Sequence, residues 1–193
     1  GIVPENHRQA VLQNLINNLK QTHGHLNTGI LGSKYIMELL AAEEQNDFAY
    51  LLTSQKDFPG WGSLVQGRTT LSEHWNQTGS NNHVMFGSVD NWYYRTLAGI
   101  NIDEKNPAFK HIIFKPWIHP EIGWAKATLQ TMRGTVASSW NYKNGKLELD
   151  VTVPVNSTAT VYVLAENPDQ VEECGKSIQQ IENVKFLKKE NSY

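Results

Sequence analysis

Apolar residues recur three and four positions apart through the first half of the chain, then at every second position through much of the remainder. Val11, Leu12, Leu15, Ile16 and Leu19, separated by Asn, Gln and Lys, predict an amphipathic helix over residues 4–22. Pro4 stands in its first turn, where a missing N–H costs nothing, and Glu5 faces the positive end of the helix dipole. Gly24, between His23 and His25, is the expected left-handed cap. Tyr35, Ile36, Leu39 and Leu40 predict a second helix with Ser33 as N-cap, and Phe48, Tyr50, Leu51 and Leu52 a short third one capped by Asp47. Phe58-Pro59-Gly60-Trp61-Gly62 reads as a turn, and residues 90–98 as a last helix stopped by Gly99.

The period changes after a joint at residues 100–105. Phe109 to Phe114, Trp124 to Thr131 and Gly134 to Trp140 are short apolar or alternating runs bounded by Pro, Gly or Asn, as strands are. Asn144-Gly145 is a strong hairpin signal, because a primed turn needs positive φ at both central residues. Leu147, Leu149, Val151 and Val153 alternate with polar partners, so one sheet face is buried. Residues 158–164 repeat the pattern, and residues 184–189 are a further candidate strand. Helices first and strands second predict an α+β chain of two modules, a helical one over residues 1–103 and an antiparallel β-sandwich over residues 104–193. The helix-loop-helix alternation suits part of a helical barrel, which four or five helices cannot close.

Composition narrows the partners. Seventeen Lys and Arg against 19 Asp and Glu, net −2 over 193 residues, give no basic stripe for nucleic acid. No apolar run reaches the roughly 18 residues of a membrane span. The single cysteine, Cys174, allows neither an internal disulfide nor a Cys-rich zinc site, and His7, His23 and His25 lack converging co-ligands, so no metal or cofactor is expected. The opening residues, Gly1-Ile2-Val3-Pro4, read as the interior of a longer protein rather than a leader.

The chemistry concentrates in residues 61–94. They hold three of the six Trp, a carboxylate among hydroxyls and aromatics at Thr69-Thr70-Leu71-Ser72-Glu73-His74-Trp75, and the amide-imidazole group Asn81-Asn82-His83. Aromatic faces stack on pyranose rings, amides and imidazoles hydrogen-bond hydroxyls, and a held carboxylate activates water. Each residue also has a plainer reading. Glu73 could cap a helix, His83 could be a satisfied core histidine, and Trp61 and Trp75 could be core indoles. The side chains of Glu73 and His74, adjacent in sequence, need not converge.

Val3-Pro4-Glu5, His25-Leu26-Asn27-Thr28-Gly29-Ile30-Leu31-Gly32, Gly67-Arg68-Thr69-Thr70-Leu71-Ser72-Glu73-His74-Trp75, Asn82-His83, Gly87-Ser88-Val89 and Trp92-Tyr93-Tyr94 together resemble the C-terminal part of bacterial α-L-rhamnosidases. Phe109-Lys110, Lys115-Pro116 and Asp150-Val151-Thr152-Val153-Pro154 resemble the β-sandwich that closes those enzymes. The resemblance implies the C-terminal helices of an (α/α)6 barrel followed by a jelly-roll-like sandwich. It further implies inverting hydrolysis of terminal α-L-rhamnose, with Glu73 as general base and His83 on the sugar; by residue type, Asn82 would hydrogen-bond hydroxyls beside it, and Trp61 and Trp75 would form stacking walls. The chain departs from the family at Arg68, where Ala is usual, and at Ser72, where Trp is common. The family's general acid lies upstream of anything in this sequence.

The expected product is therefore a hydrolase fragment, inactive alone, whose partners are rhamnose-containing glycans and the preceding part of the same polypeptide. A periplasmic or extracellular setting is favoured for the parent enzyme. Apolar stripes left open on the first two helices imply self-association, to be read by light scattering. Two alternatives are a non-catalytic glycan-binding sandwich using Trp117, Trp124 or Trp140, and another α/α-barrel glycosidase or phosphorylase.

Overall fold

The computed structural model describes residues 2–190, so Gly1 and the last three positions of the expected sandwich module lie outside the described residues. The chain forms two compact units, Gly1–Trp92 and Tyr93–Tyr193.

The first unit is helical, with α1 Glu5–Gln21, α2 Ile30–Ala42, α3 Asn46–Thr53, α4 Trp61–Val65, a 3-10 turn Val84–Ser88 and α5 Val89–Trp92. Helix α1 buries Ile16 and Leu19, while α2 buries Met37 and Leu40 and α3 buries Ala49 and Leu52. The first helix ends in a Schellman motif: Gly24 N–H donates to Leu19 O at 2.9 Å and His23 N–H to Lys20 O at 3.1 Å. His23, φ 52°, takes the first left-handed position, and Gly24, φ 81°, follows it.

Two expected caps are corrected. Helix α2 starts earlier than Ser33, with Gly29 as N-cap. Ser33 is buried inside the first turn, and its Oγ donates back to Gly29 O at 2.9 Å. Asp47 lies within the first turn of α3, whose N-cap is Gln45. The expected turn at Trp61 is a short helix, α4, that buries Trp61 and Leu64. Gly60 at its N-cap and Gly62 within it hid it from a periodicity reading.

His25 ties the end of α1 to the loop after α3. Its Nδ1 lies 3.0 Å from Thr22 O and its Nε2 2.9 Å from Asp57 Oδ1. A carbonyl and a carboxylate both accept, so this geometry favours the doubly protonated ring. The bond to Asp57 accordingly raises the His25 pKa, and the bond to His25 lowers that of Asp57. A raised His contributes stability that is full below its unfolded value of about 6.5 and fades as pH rises through the folded one; a lowered Asp contributes above about 3.9 and fades as pH falls through its folded value. Melting of wild type and Asp57→Asn across pH should therefore differ most in the mildly acidic window and converge toward alkaline pH. The gap should be small and salt-sensitive, since Asp57 is exposed. A gap that grows with pH would contradict the assignment.

The second unit opens with a π turn, Tyr93–Leu97, followed by β1 Ile100–Ile102, β2 His111–Phe114, β3 Trp124–Thr131, β4 Gly134–Lys143, β5 Lys146–Thr152, β6 Thr158–Val161 and the short pair β7 Glu172–Glu173 and β8 Lys176–Ser177. One sheet has the order β1-β2-β6 and the other β3-β4-β5. Ile100, Ile112, Phe114 and Val136 form a core, with Phe109, Ala127, Val151 and Ala159 packed against it. These residues come from both sheets, so the unit is a sandwich.

The Asn144-Gly145 hairpin forms with φ 53° and 76°, between paired Lys143 and Lys146. Ile100–Ile102, expected in the joint, is a strand antiparallel to β2. Strand β6 runs parallel to β2. Residues 184–189, a candidate strand, hold no regular structure and leave Val184, Phe186 and Leu187 exposed, because no described strand pairs with them.

Gly99 has no room for a side chain. Its φ is +78°, and a Cβ there would lie 2.2 Å from Pro116 N and 2.5 Å from the carbonyl carbon of Lys115. Beside it, Lys115 N–H donates to Gly99 O at 2.9 Å and Trp117 N–H to Thr96 O at 2.8 Å.

Candidate functional site

Glu73 sits on a loop that turns back on itself. His83 N–H donates to Leu71 O at 3.2 Å, and Glu73 N–H donates to Ser80 O at 2.9 Å. These two rungs bring Glu73 and His83 onto facing limbs of a compact Ω-like loop. Ser80 N–H returns a bond to Glu73 Oε2 at 3.2 Å. Among the described residues none donates to Oε1, and the Glu73 side chain is half-buried. One carboxylate oxygen is thus held, and the other keeps its acceptor capacity unused by the described residues.

Gly79 makes that approach possible. Its φ is +80°, and a Cβ on it would lie 2.8 Å from both Glu73 Oε2 and His74 Nδ1. The two side chains that the sequence left unrelated therefore meet against this glycine. Its only trace in the sequence is a Gly in a Thr-Gly-Ser turn, and nothing there reveals which atoms press on it.

Trp75 is half-buried. Its indole N–H donates to Thr28 O at 2.7 Å, joining the Glu73 loop to the segment that leads into α2. Its ring lies 4.0 Å from that of Phe86, tilted by 39°, and 5.2 Å from Trp61 in an edge-on contact at 89°. Trp61 itself is 6% exposed, with its N–H given to Phe86 O at 3.0 Å. It stands behind Trp75 as a core indole that braces it. Asn82 is exposed, with its N–H on Ser80 Oγ at 3.2 Å, and His83 is half-buried at the entry to the 3-10 turn. Glu73, His74, Trp75 and His83 are thereby brought into one loop cluster, and Trp61 is set beneath it.

The sandwich tryptophans separate. Trp140 is 1% exposed and donates to Leu97 O at 2.7 Å, which makes it core. Trp117 lies against His119, ring centroids 4.9 Å apart. Trp124 is 66% exposed at the start of β3, next to Asn141 in register. His25, weighed as a metal ligand, is committed to Asp57. Among the described residues no group of three or more His, Cys, Asp or Glu could hold a metal ion.

Residues 1–97 match the bacterial alpha-L-rhamnosidase 6 hairpin glycosidase domain, and residues 99–177 the bacterial alpha-L-rhamnosidase C-terminal domain. The chain belongs to the bacterial α-L-rhamnosidase family. An α-L-rhamnosidase of Streptomyces avermitilis is 31% identical over 184 residues, and one of Formosa agariphila 30% identical over 201. These alignments cover 89% and 98% of this chain but 18% and 22% of the relatives, so the chain spans about a fifth of their length.

Solved structures agree. An α-L-rhamnosidase from Dictyoglumus thermophilum superposes with a TM-score of 0.81 at 35% identity, covering 99% of this chain and 22% of that one. The Streptomyces avermitilis enzyme, solved in complex with L-rhamnose, gives 0.81 at 30% identity, covering 94% of this chain and 19% of that one. The helical unit thus belongs to a six-hairpin glycosidase domain, and the rhamnosidase's C-terminal domain follows it.

Proposed function

We propose that this chain is the C-terminal part of an inverting α-L-rhamnosidase and supplies its general base, Glu73. The supporting observation is the state of that carboxylate, gripped through Oε2 by the Ser80 amide with Oε1 uncommitted. A water hydrogen-bonded to Oε1 would lose its proton to the carboxylate as it attacks the anomeric carbon. In this reading His83 and Asn82 would hydrogen-bond sugar hydroxyls, and Trp75, braced by Trp61, would offer the apolar wall.

An inverting hydrolase needs a second carboxyl group about 6.5–9.5 Å from the first, to protonate the leaving oxygen. That group is proposed to lie in the preceding part of the polypeptide, so the isolated chain is expected to be inactive. The same preceding part would cover Leu31, Tyr35 and Leu39 of α2, which are exposed here. Without it, a second copy of the chain is the available cover. The substrates are rhamnose-containing glycosides.

The test is stereochemical. Full-length enzyme acting on an aryl α-L-rhamnoside should release β-L-rhamnose first, seen by proton NMR before mutarotation, with no need for phosphate. First release of the α anomer, or dependence on phosphate, would overturn the inverting-hydrolase reading. A glycan platform on the sandwich has one supporting observation, the exposed Trp124 beside Asn141. Soaked L-rhamnose stacked on Trp124, with the Glu73 loop empty, would favour it.

A further inference from the structure

We propose that Arg68 is a positioning residue for Glu73: its guanidinium ties Gln77 to Asn81 across the Gly79-Ser80 turn and so fixes the amide that grips the carboxylate. The inference rests on the reading of Glu73 as base. Arg68 Nε donates to Gln77 Oε1 at 2.9 Å, and one terminal nitrogen donates to Asn81 Oδ1 at 2.9 Å. Gln77 is held from three sides, since its Nε2 donates to Ser63 O on α4 at 2.7 Å and its N–H to His74 O at 2.9 Å. It needs holding, because its φ of 63° is a left-handed conformation that a side chain disfavours.

Between the two residues that Arg68 grips lies Ser80, which meets Glu73 with both backbone groups and takes Asn82 N–H on its hydroxyl. Apart from Trp75, which packs on Phe86 and Trp61, apolar burial does little for this loop. Residues 65–70 and 78–82 are exposed, and in the whole span 65–83 only Ser72 is buried. The rest of the loop's shape therefore depends on its hydrogen bonds, and the guanidinium adds a side-chain bridge to the two backbone rungs that join its limbs. A planar fork carries two fixed donors to two acceptors, whereas a lysine offers a point charge.

The experiment is steady-state hydrolysis of an aryl α-L-rhamnoside by the full-length enzyme as wild type, Arg68→Ala, Arg68→Lys, Asn81→Ala and Glu73→Gln. Misplacing a reacting group by about an ångström costs up to ~100-fold, so Arg68→Ala should lower kcat by roughly 10- to 100-fold while KM changes little. Arg68→Lys should stay close to Arg68→Ala, and Asn81→Ala should reproduce part of the loss.

If Arg68→Ala does not fold, Asn81→Ala carries the same reading, since it removes one surface bond. A raised KM with kcat unchanged would put Arg68 on the substrate and overturn the proposal, as would wild-type kcat in both Arg68→Ala and Asn81→Ala while Glu73→Gln is inactive. Activity persisting in Glu73→Gln would instead sink the underlying assignment of the base.

Discussion

Glu73→Gln in the full-length enzyme should lose roughly 10²- to 10⁴-fold in kcat, the usual contribution of a general base. The substitution keeps the shape of the side chain and an acceptor oxygen for the Ser80 amide, so the loop has no reason to rearrange. What disappears is the charge that takes the proton. Stability should stay within about 0.5 kcal/mol of wild type, as for most changes at sites that leave packing intact. Parallel melting curves and steady-state rates separate the two effects. A folded Glu73→Gln enzyme with near wild-type turnover would remove Glu73 from the chemistry.

Gly99→Ala should be the most damaging single methyl in the sandwich unit. The new carbon would occupy a point 2.2 Å from Pro116 N, at a residue already in the left-handed region. Neighbouring backbone, not a flexible side chain, must yield, and the bonds Lys115 N–H to Gly99 O and Trp117 N–H to Thr96 O lie in its path. Left-handed strain alone costs about 1–2 kcal/mol, and breaking this paired backbone should raise the loss to about 3 kcal/mol or more. At ~2–4 °C per kcal/mol for a chain of this size, the melting midpoint should fall by roughly 10 °C. Gly145→Ala is the control, since no heavy atom lies within 4 Å of its Cβ position. Equal shifts for the two would show that the close approach at Gly99 contributes nothing beyond its φ.

What could be read from the sequence was what repeats or what is local. Helix α1 announced itself through five apolar positions on one face, and the β4–β5 hairpin through Asn144-Gly145, whose observed φ values are those the turn type demands. The cluster around Glu73 was legible because its residue types sit close in sequence. Its geometry was not, because the decisive partners, Gly79, Ser80 and Arg68, act through backbone amides and a single guanidinium, which leave no period. Strand β1 was missed because three residues carry too little alternation, and α4 because Gly60 and Gly62 argue for a turn. Ser33 was misplaced because a serine hydroxyl that bonds back to Gly29 looks, in sequence, like one that starts a helix.

The parallel pairing of β2 with β6 bears on how the sandwich assembles. His111 reaches Thr158 across 47 positions, and everything in β3, β4 and β5 lies within that span. The three-stranded meander can form from neighbours, whereas the β2–β6 edge must await closure of the long segment around it, a step slowed by chain entropy. During synthesis, then, the β1–β2 ribbon would emerge early and wait with one margin unpaired until the ribosome has released β6.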